Sequence, residues 1–162
     1  GQHASTKLAL GLIQGACQDA LPEKVLDIGT GSGILSMGAA LFGAKEIIAI
    51  DNDPEAVRVG QENVALNNLQ EVIQVAGTDL AEISGAFDLV CANIVHDVLV
   101  DMAPTIAKRL TAQGKVILAG ILSGKQEQNI AKVYGDLNIQ VASRSYEDEW
   151  VAMLLQQNLT GA

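Results

Sequence analysis

Basic residues are scarce in this chain. Ten Lys and Arg face 19 Asp and Glu, for a net charge of −9 over 162 residues. A general nucleic-acid binder needs a basic face to neutralise phosphates, so direct nucleic-acid binding is not expected. The acidic balance suits a basic protein substrate or a small molecule, and solubility alone also accounts for it. No apolar run reaches the roughly 18 residues of a membrane span, and no signal peptide is visible. The two cysteines, Cys17 and Cys91, lack metal-ligand spacing and read as buried reduced thiols, which fits the cytoplasm. No Ser-His-Asp or Cys-His arrangement stands out, no metal site is expected, and there is no repeat, low-complexity segment or internal linker. The first residue is Gly1 rather than methionine, as expected of processing or, more simply, of a piece of a longer protein.

What is present is a globular composition, 49% hydrophobic and only 18% charged, in a length that suits one domain over residues 1–162. Leu8, Leu12, Ile13, Cys17 and Leu21 form a helical stripe, which predicts a helix from about Ser5 to Ala20. Strand and helix then alternate. Strands are expected over 24–28, 46–50, 72–76, 87–92 and 115–119, and a small-residue helix over 33–42. Asp53-Pro54-Glu55 starts another helix, with an N-cap acid and proline at the first helical position, that runs to about Asn67. Val95, Val98, Leu99, Met102, Ile106 and Leu110 make a further helical stripe, with Gly114 just past its end. A helix over 124–134 precedes two strands, 138–144 and 150–157, that read as a terminal hairpin. The expected fold is α/β: an open, mostly parallel seven-stranded sheet with helices on both faces and a closing antiparallel hairpin.

The most informative stretch is Val25-Leu26-Asp27-Ile28-Gly29-Thr30-Gly31-Ser32-Gly33. A β-branched strand enters alternating glycines and then a helix, a turn that lets a ligand approach the main chain. Asp51 ends the next strand, where a carboxylate can accept both hydroxyls of a ribose, and Asn52 can supplement it. An adenosine-containing cofactor is therefore expected. A pyrophosphate-bearing dinucleotide prefers Gly-x-Gly-x-x-Gly. Gly29, Thr30 and Gly31 instead follow Asp27, an acid useful beside the ammonium of S-adenosylmethionine, which has no phosphate. Asp79 follows the third strand, where it can accept from an adenine amino group while Leu80 packs on the ring. Asn93 ends the fourth strand at the switch point, where its oxygen can orient an incoming amine or its side chain can cap the next helix. His96 follows Asn93 by three residues and can line the pocket mouth, but reads more simply as a solvated histidine at a helix start.

Several separate stretches together resemble the methyltransferases (PrmA family) that modify large-subunit ribosomal protein eleven. Gly1-Gln2-His3-Ala4-Ser5-Thr6 resembles the tail of that family's Gly-Thr-Gly-x-His-x-Thr-Thr segment, with Ser5 for a usual Thr. The glycine loop with Gly43-Ala44-Lys45, then Asp51-Asn52-Asp53-Pro54 with Glu62-Asn63, Ala92-Asn93-Ile94, Gly120-Ile121-Leu122 and Glu149-Trp150-Val151, match its other motifs. The resemblance implies a class I methyltransferase of Rossmann-like fold. It also implies S-adenosylmethionine contacts at Thr6, Gly29, Asp51 and Asn93, with His3 beside the methionine end. The implied acceptors are lysine ε-amines and an α-amine of the ribosomal protein. Asn93 is followed by Ile94-Val95 and not by a Pro-Pro-aromatic clamp, which favours an aliphatic amine over an amide or a base. The family's smaller N-terminal substrate-recognition domain has no counterpart in this chain. The other readings are a class I methyltransferase for another acceptor, a nicotinamide-dependent oxidoreductase, and a cofactor-binding module without activity of its own.

Overall fold

A computed structural model describes residues 2–157; Gly1, part of the first motif above, lies outside them. The elements run α1 (Gln2–Asp19), β1 (Val25–Ile28), α2 (Ile34–Leu41), β2 (Ile47–Ile50), α3 (Pro54–Leu66), β3 (Ile73–Ala76), a short 3₁₀ turn (Leu80–Glu82), β4 (Phe87–Asn93), α4 (His96–Lys108), β5 (Leu110–Leu122), α5 (Lys125–Gly135), β6 (Ile139–Glu147) and β7 (Trp150–Gln157). The seven strands form one sheet in the order β3-β2-β1-β4-β5-β7-β6. Pairing is parallel from β3 through β5 and antiparallel on both sides of β7.

Side-chain alternation along each strand feeds two cores. Val25, Leu89 and Cys91 join Ala9, Ile13, Leu35 and Ala39 beneath α1 and α2. Leu26, Val90 and Ala92 join Leu99, Ile106, Ile130 and Tyr134 beneath α4 and α5. A parallel sheet covered on both faces buries its central strands completely, as the fully buried β1 does. Both cysteines are buried and free. Among the described residues no helix is long and apolar enough to cross a membrane.

One segment departs from the periodicity of the sequence. Leu110 begins β5 rather than closing α4, and Gly114 is buried within the strand, where a Cβ would stand 2.9 Å from that of Leu110. The helix ends at Arg109, whose guanidinium donates to the carbonyls of Ile83 and Gly85. Apolar spacing could not separate a helix's last turn from a strand's first residue. The pairing of Leu110 with Phe87 made the choice.

Candidate active site

All the parallel strands point their carboxyl ends to one edge, and β7, running the other way, begins there. A pocket of about 540 Å³ lies across this edge, within the ~300–1,000 Å³ of small-molecule sites. In sheet order its wall is Thr78, Asp79 and Leu80 after β3, Asp51 and Asn52 after β2, Gly29 after β1, Asn93 at the end of β4, Gly120 in β5 and Trp150 at the start of β7. Ser5 of α1 and Val98 and Met102 of α4 also line it.

The glycine loop is closed on itself. The amides of Gly29 and Thr30 both donate to the Ile50 carbonyl, Gly31 N–H donates to Asp51 Oδ2 at 2.9 Å, and Gly33 N–H donates to the Thr30 carbonyl. Positive φ at Gly29, Gly31 and Gly33 permits this winding. Four of the loop's five amides are thus engaged within the protein. A pyrophosphate cradle needs such amides free, so the loop suits a cofactor without phosphate.

Asp51 is half-buried, and a second amide, Asp53 N–H, donates to its Oδ1 at 3.0 Å. A carboxylate has about four acceptor positions, so each oxygen keeps one for a hydroxyl. Asp53 in turn caps α3 by accepting from Glu55 N–H, with Pro54 in the first turn. The motif Asp51-Asn52-Asp53-Pro54 therefore both presents the carboxylate and starts the helix behind it. Asp79 is exposed and caps the 3₁₀ turn through Ala81 N–H, while Leu80 is buried.

Asp27 does not reach the pocket wall. It is 1% exposed beneath the loop, where Oδ2 accepts from the Thr30 and Ser36 hydroxyls at 2.8 and 2.7 Å, and Oδ1 has no partner. Burial pushes its carboxyl above the ordinary range; the Ser36 and Thr30 hydroxyls pull the other way, and the Asp51 charge adds to the rise.

The other end of the pocket is assembled from remote parts of the chain. Asn93 Nδ2 donates to Thr6 Oγ1 at 3.2 Å, joining α1 to β4. This bond turns the amide oxygen of Asn93 toward Gly120, where an added Cβ would lie 3.1 Å from Oδ1 and 2.7 Å from the Ile94 carbonyl oxygen. Gly120 has φ +84° and sits where the β5–β7 register shifts between Leu118 and Ile121. Such bulges re-aim side chains beside sites. Neither Thr6 nor His3 lines the pocket; His3 is exposed on α1.

His96 is corrected from a solvated histidine. Its ring is 16% exposed and away from the pocket, with Nδ1 2.8 Å from Asp97 and Nε2 2.9 Å from the Asn129 amide nitrogen. Asn129 Nδ2 can only donate, so Nε2 accepts from it and Nδ1 faces the Asp97 carboxylate. Sequence reasoning also missed Ser5, Val98, Met102, Gly120 and Trp150 as lining residues. Gly120 and Trp150 belonged to recognised motifs, but nothing local showed that they face Asn93.

A family model described as ribosomal protein L11 methyltransferase (PrmA) matches residues 1–158. The chain belongs to this family. The PrmA-type ribosomal protein L11 methyltransferase of Desulfotalea psychrophila is 40% identical over 157 residues, 97% of this chain and 52% of the relative. That of Myxococcus xanthus is 36% identical, over 97% of this chain and 53% of the relative. The chain thus spans about half the length of the curated PrmA relatives it matches. The crystal structure of ribosomal protein L11 methylase from Lactobacillus delbrueckii subsp. bulgaricus superposes with TM-score 0.89 at 33% identity, covering 95% of this chain and 79% of that one. A magnesium protoporphyrin IX methyltransferase from Synechocystis, solved with S-adenosylmethionine bound, shares the fold at TM-score 0.74 and 20% identity.

Proposed function

We propose that this chain binds S-adenosylmethionine along the carboxyl edge of its sheet and methylates an amino group of ribosomal protein L11, in the cytoplasm. The observation that carries the reading is the Asp51 carboxylate. It is anchored by two backbone amides and keeps an acceptor position on each oxygen, beside a loop whose own amides are occupied. That combination fits a ribose whose nucleoside carries no phosphate. The orphaned Asp27 Oδ1 beneath the loop fits a cationic neighbour such as an α-ammonium. On this reading Asp51 and Asn52 hold the ribose, Asp79 and Leu80 the adenine, and Gly29 gives the methionine end close access to the main chain. Thr6 and Asn93 stand at the transferred group, with His3 beside it on α1.

Bound there, the cofactor supplies an electrophilic methyl on a sulfonium sulfur. The chain's contribution is orientation, and a well-aligned encounter is worth several kcal/mol of the barrier. Thr6 fixes the Asn93 amide, whose oxygen then accepts an N–H of the acceptor and aims the nitrogen lone pair at the methyl. Around Asn93 the pocket wall is Ser5, Ile94, Val95, Gly120 and Trp150. Among the described residues no carboxylate or imidazole lines this part of the wall, and His3 is exposed on α1 outside it. The apolar wall disfavours an ammonium, so the amine loses its proton to water before attack.

Calorimetric titration with S-adenosylmethionine, with NAD as control, tests the cofactor. Mass spectrometry of ribosomal protein L11 incubated with chain and cofactor tests the acceptor. Saturable binding of the first alone, with mass gains in steps of one methyl, is the expected result. Binding without any mass gain would assign this chain the role of a cofactor module. Tight NAD binding would overturn the reading in favour of an oxidoreductase.

A further inference from the structure

Outside the cofactor half, one acidic side chain is buried among polar partners that the reaction does not use. Glu127, in the first turn of α5, is 9% exposed. Its Oε1 accepts from Gly124 N–H at 3.2 Å. Its Oε2 accepts from the Tyr146 hydroxyl at 2.5 Å and from Arg144 Nε at 2.9 Å. Glu127 therefore ties the β5–α5 turn to strand β6.

This knot sits behind the pocket's far wall. Tyr146 pairs with Val151 and Glu147 with Trp150 across β6–β7, and Trp150 pairs with Leu122 across β5–β7. Ser123 N–H donates to the Glu149 carbonyl, and Leu122 N–H donates to the Gln126 side chain. Trp150 is thus held between two strands whose ends Glu127 locks together. Trp150 lines the same pocket as Asn93 and Gly120, and its buried Nε1 has no partner.

A Glu in place of a hydrophobic residue here costs desolvation that only good partners offset. Three donors on one carboxylate meet that requirement, and Tyr146, itself largely exposed, is drawn into place by the acid. Removing the carboxylate takes away the acceptor of the Gly124 N–H, at a turn residue with φ +94°.

We propose that Glu127 is a positioning residue of the acceptor site: by tying Gly124, Arg144 and Tyr146 together it holds Trp150 as the wall against which the acceptor's alkyl chain packs. This rests on the methyltransferase reading above and names a specificity element within it. The tryptophan side chain offers a flat apolar surface suited to an unbranched methylene stem.

Trp150 is the chain's sole tryptophan, so its fluorescence reports on this wall alone. The experiment titrates Nα-acetyl-lysine-methylamide into the whole chain saturated with S-adenosylhomocysteine, in the parent, Glu127→Gln and Tyr146→Phe. Acrylamide quenching is read on each, and S-adenosylhomocysteine affinity is measured separately by calorimetry. Expected are a saturable change in indole emission in the parent and easier quenching in both variants. Half-saturation should rise about fivefold, the effect of one lost hydrogen bond, with cofactor affinity within about twofold. No emission change in a parent that binds S-adenosylhomocysteine would overturn the proposal and leave the methyltransferase reading standing. So would variants that bind the lysine derivative as the parent does. A parent that fails to bind S-adenosylhomocysteine would overturn the underlying reading, and the proposal with it. Tyr146→Phe, which leaves no unpaired charge at an exposed position, keeps the test readable if Glu127→Gln unfolds.

Discussion

Over β1, β2 and β3 the pocket is walled by main chain and carboxylates; over β4, β5 and β7 it is walled by an amide, a glycine and an indole. The first half is wound from short consecutive stretches, 29–33, 51–53 and 78–80, whose hydrogen bonds run mostly within or between neighbouring loops. The second half exists only when α1, β4, β5 and β7 are all in place, as the 87-residue separation of Thr6 and Asn93 shows. On the proposed reading, holding the cofactor and aiming the acceptor are therefore separate tasks of separate parts. Mutations should be able to remove one and spare the other.

Asp51→Ala should give the largest effect. It deletes the ribose acceptor and also the partner of the Gly31 and Asp53 amides. Charge-assisted hydrogen bonds are worth ~1.5–3 kcal/mol each, so calorimetry should show S-adenosylmethionine affinity reduced about 100-fold or more. Retained affinity would break the division between the two halves. Asn93→Ala should act oppositely, lowering kcat roughly 50-fold through lost orientation while cofactor affinity stays close to the parent's. Equal kcat with weaker cofactor binding would place Asn93 in the other half.

Thr6→Val removes the hydroxyl that accepts from Asn93 Nδ2. It leaves the Asn93 amide present but unheld, and kcat should fall about fivefold in a methyl-transfer assay with no change in cofactor affinity. The smallest effect concerns stability. Burial raises the Asp27 carboxyl above its ordinary 3.8, so the folded state holds that proton more tightly than the unfolded chain. Its contribution is present in full below pH 3.8 and is lost as pH rises through the raised value. Asp27→Asn keeps an acceptor for Thr30 and Ser36 and carries no charge. Thermal melts should find it a few degrees more stable than the parent at pH 8, with the gain shrinking as pH approaches 4. If Asp27 also faces the cofactor's ammonium, the same variant binds S-adenosylmethionine more weakly.

The same division governs what could be read in advance. Gly29, Asp51, Asn52, Asp79 and Leu80 announced themselves because each follows directly from a strand end, and all five line the pocket. The strand–helix alternation and the closing hairpin were equally plain, since apolar period and turn residues are local properties. Asp27 was visible as an acid, but not that the pleat turns it under α2, beneath the loop and outside the pocket lining. Trp150 and Gly120 lay in recognised motifs without a stated task, because only the packing of β4, β5 and β7 side by side brings them into one pocket with Asn93. The Thr6–Asn93 bond was likewise a tertiary fact, implied by resemblance as two contacts and formed in the structure as one pair.

That insertion of β7 has a consequence for how the protein is made. Of the seven strands β7 is synthesised after the other six, yet its place is inside the sheet between β5 and β6. Until Trp150–Gln157 is in place, β5 presents a bare edge and β6 has no partner in the sheet. Exposed edges of this kind invite wrong pairing. Only when Trp150–Gln157 emerges does the sheet close, and the same eight residues bring in the tryptophan that completes the pocket. A nascent chain short of this strand carries the full glycine loop but lacks Trp150, so on the proposed reading the acceptor side of the pocket arrives only with β7.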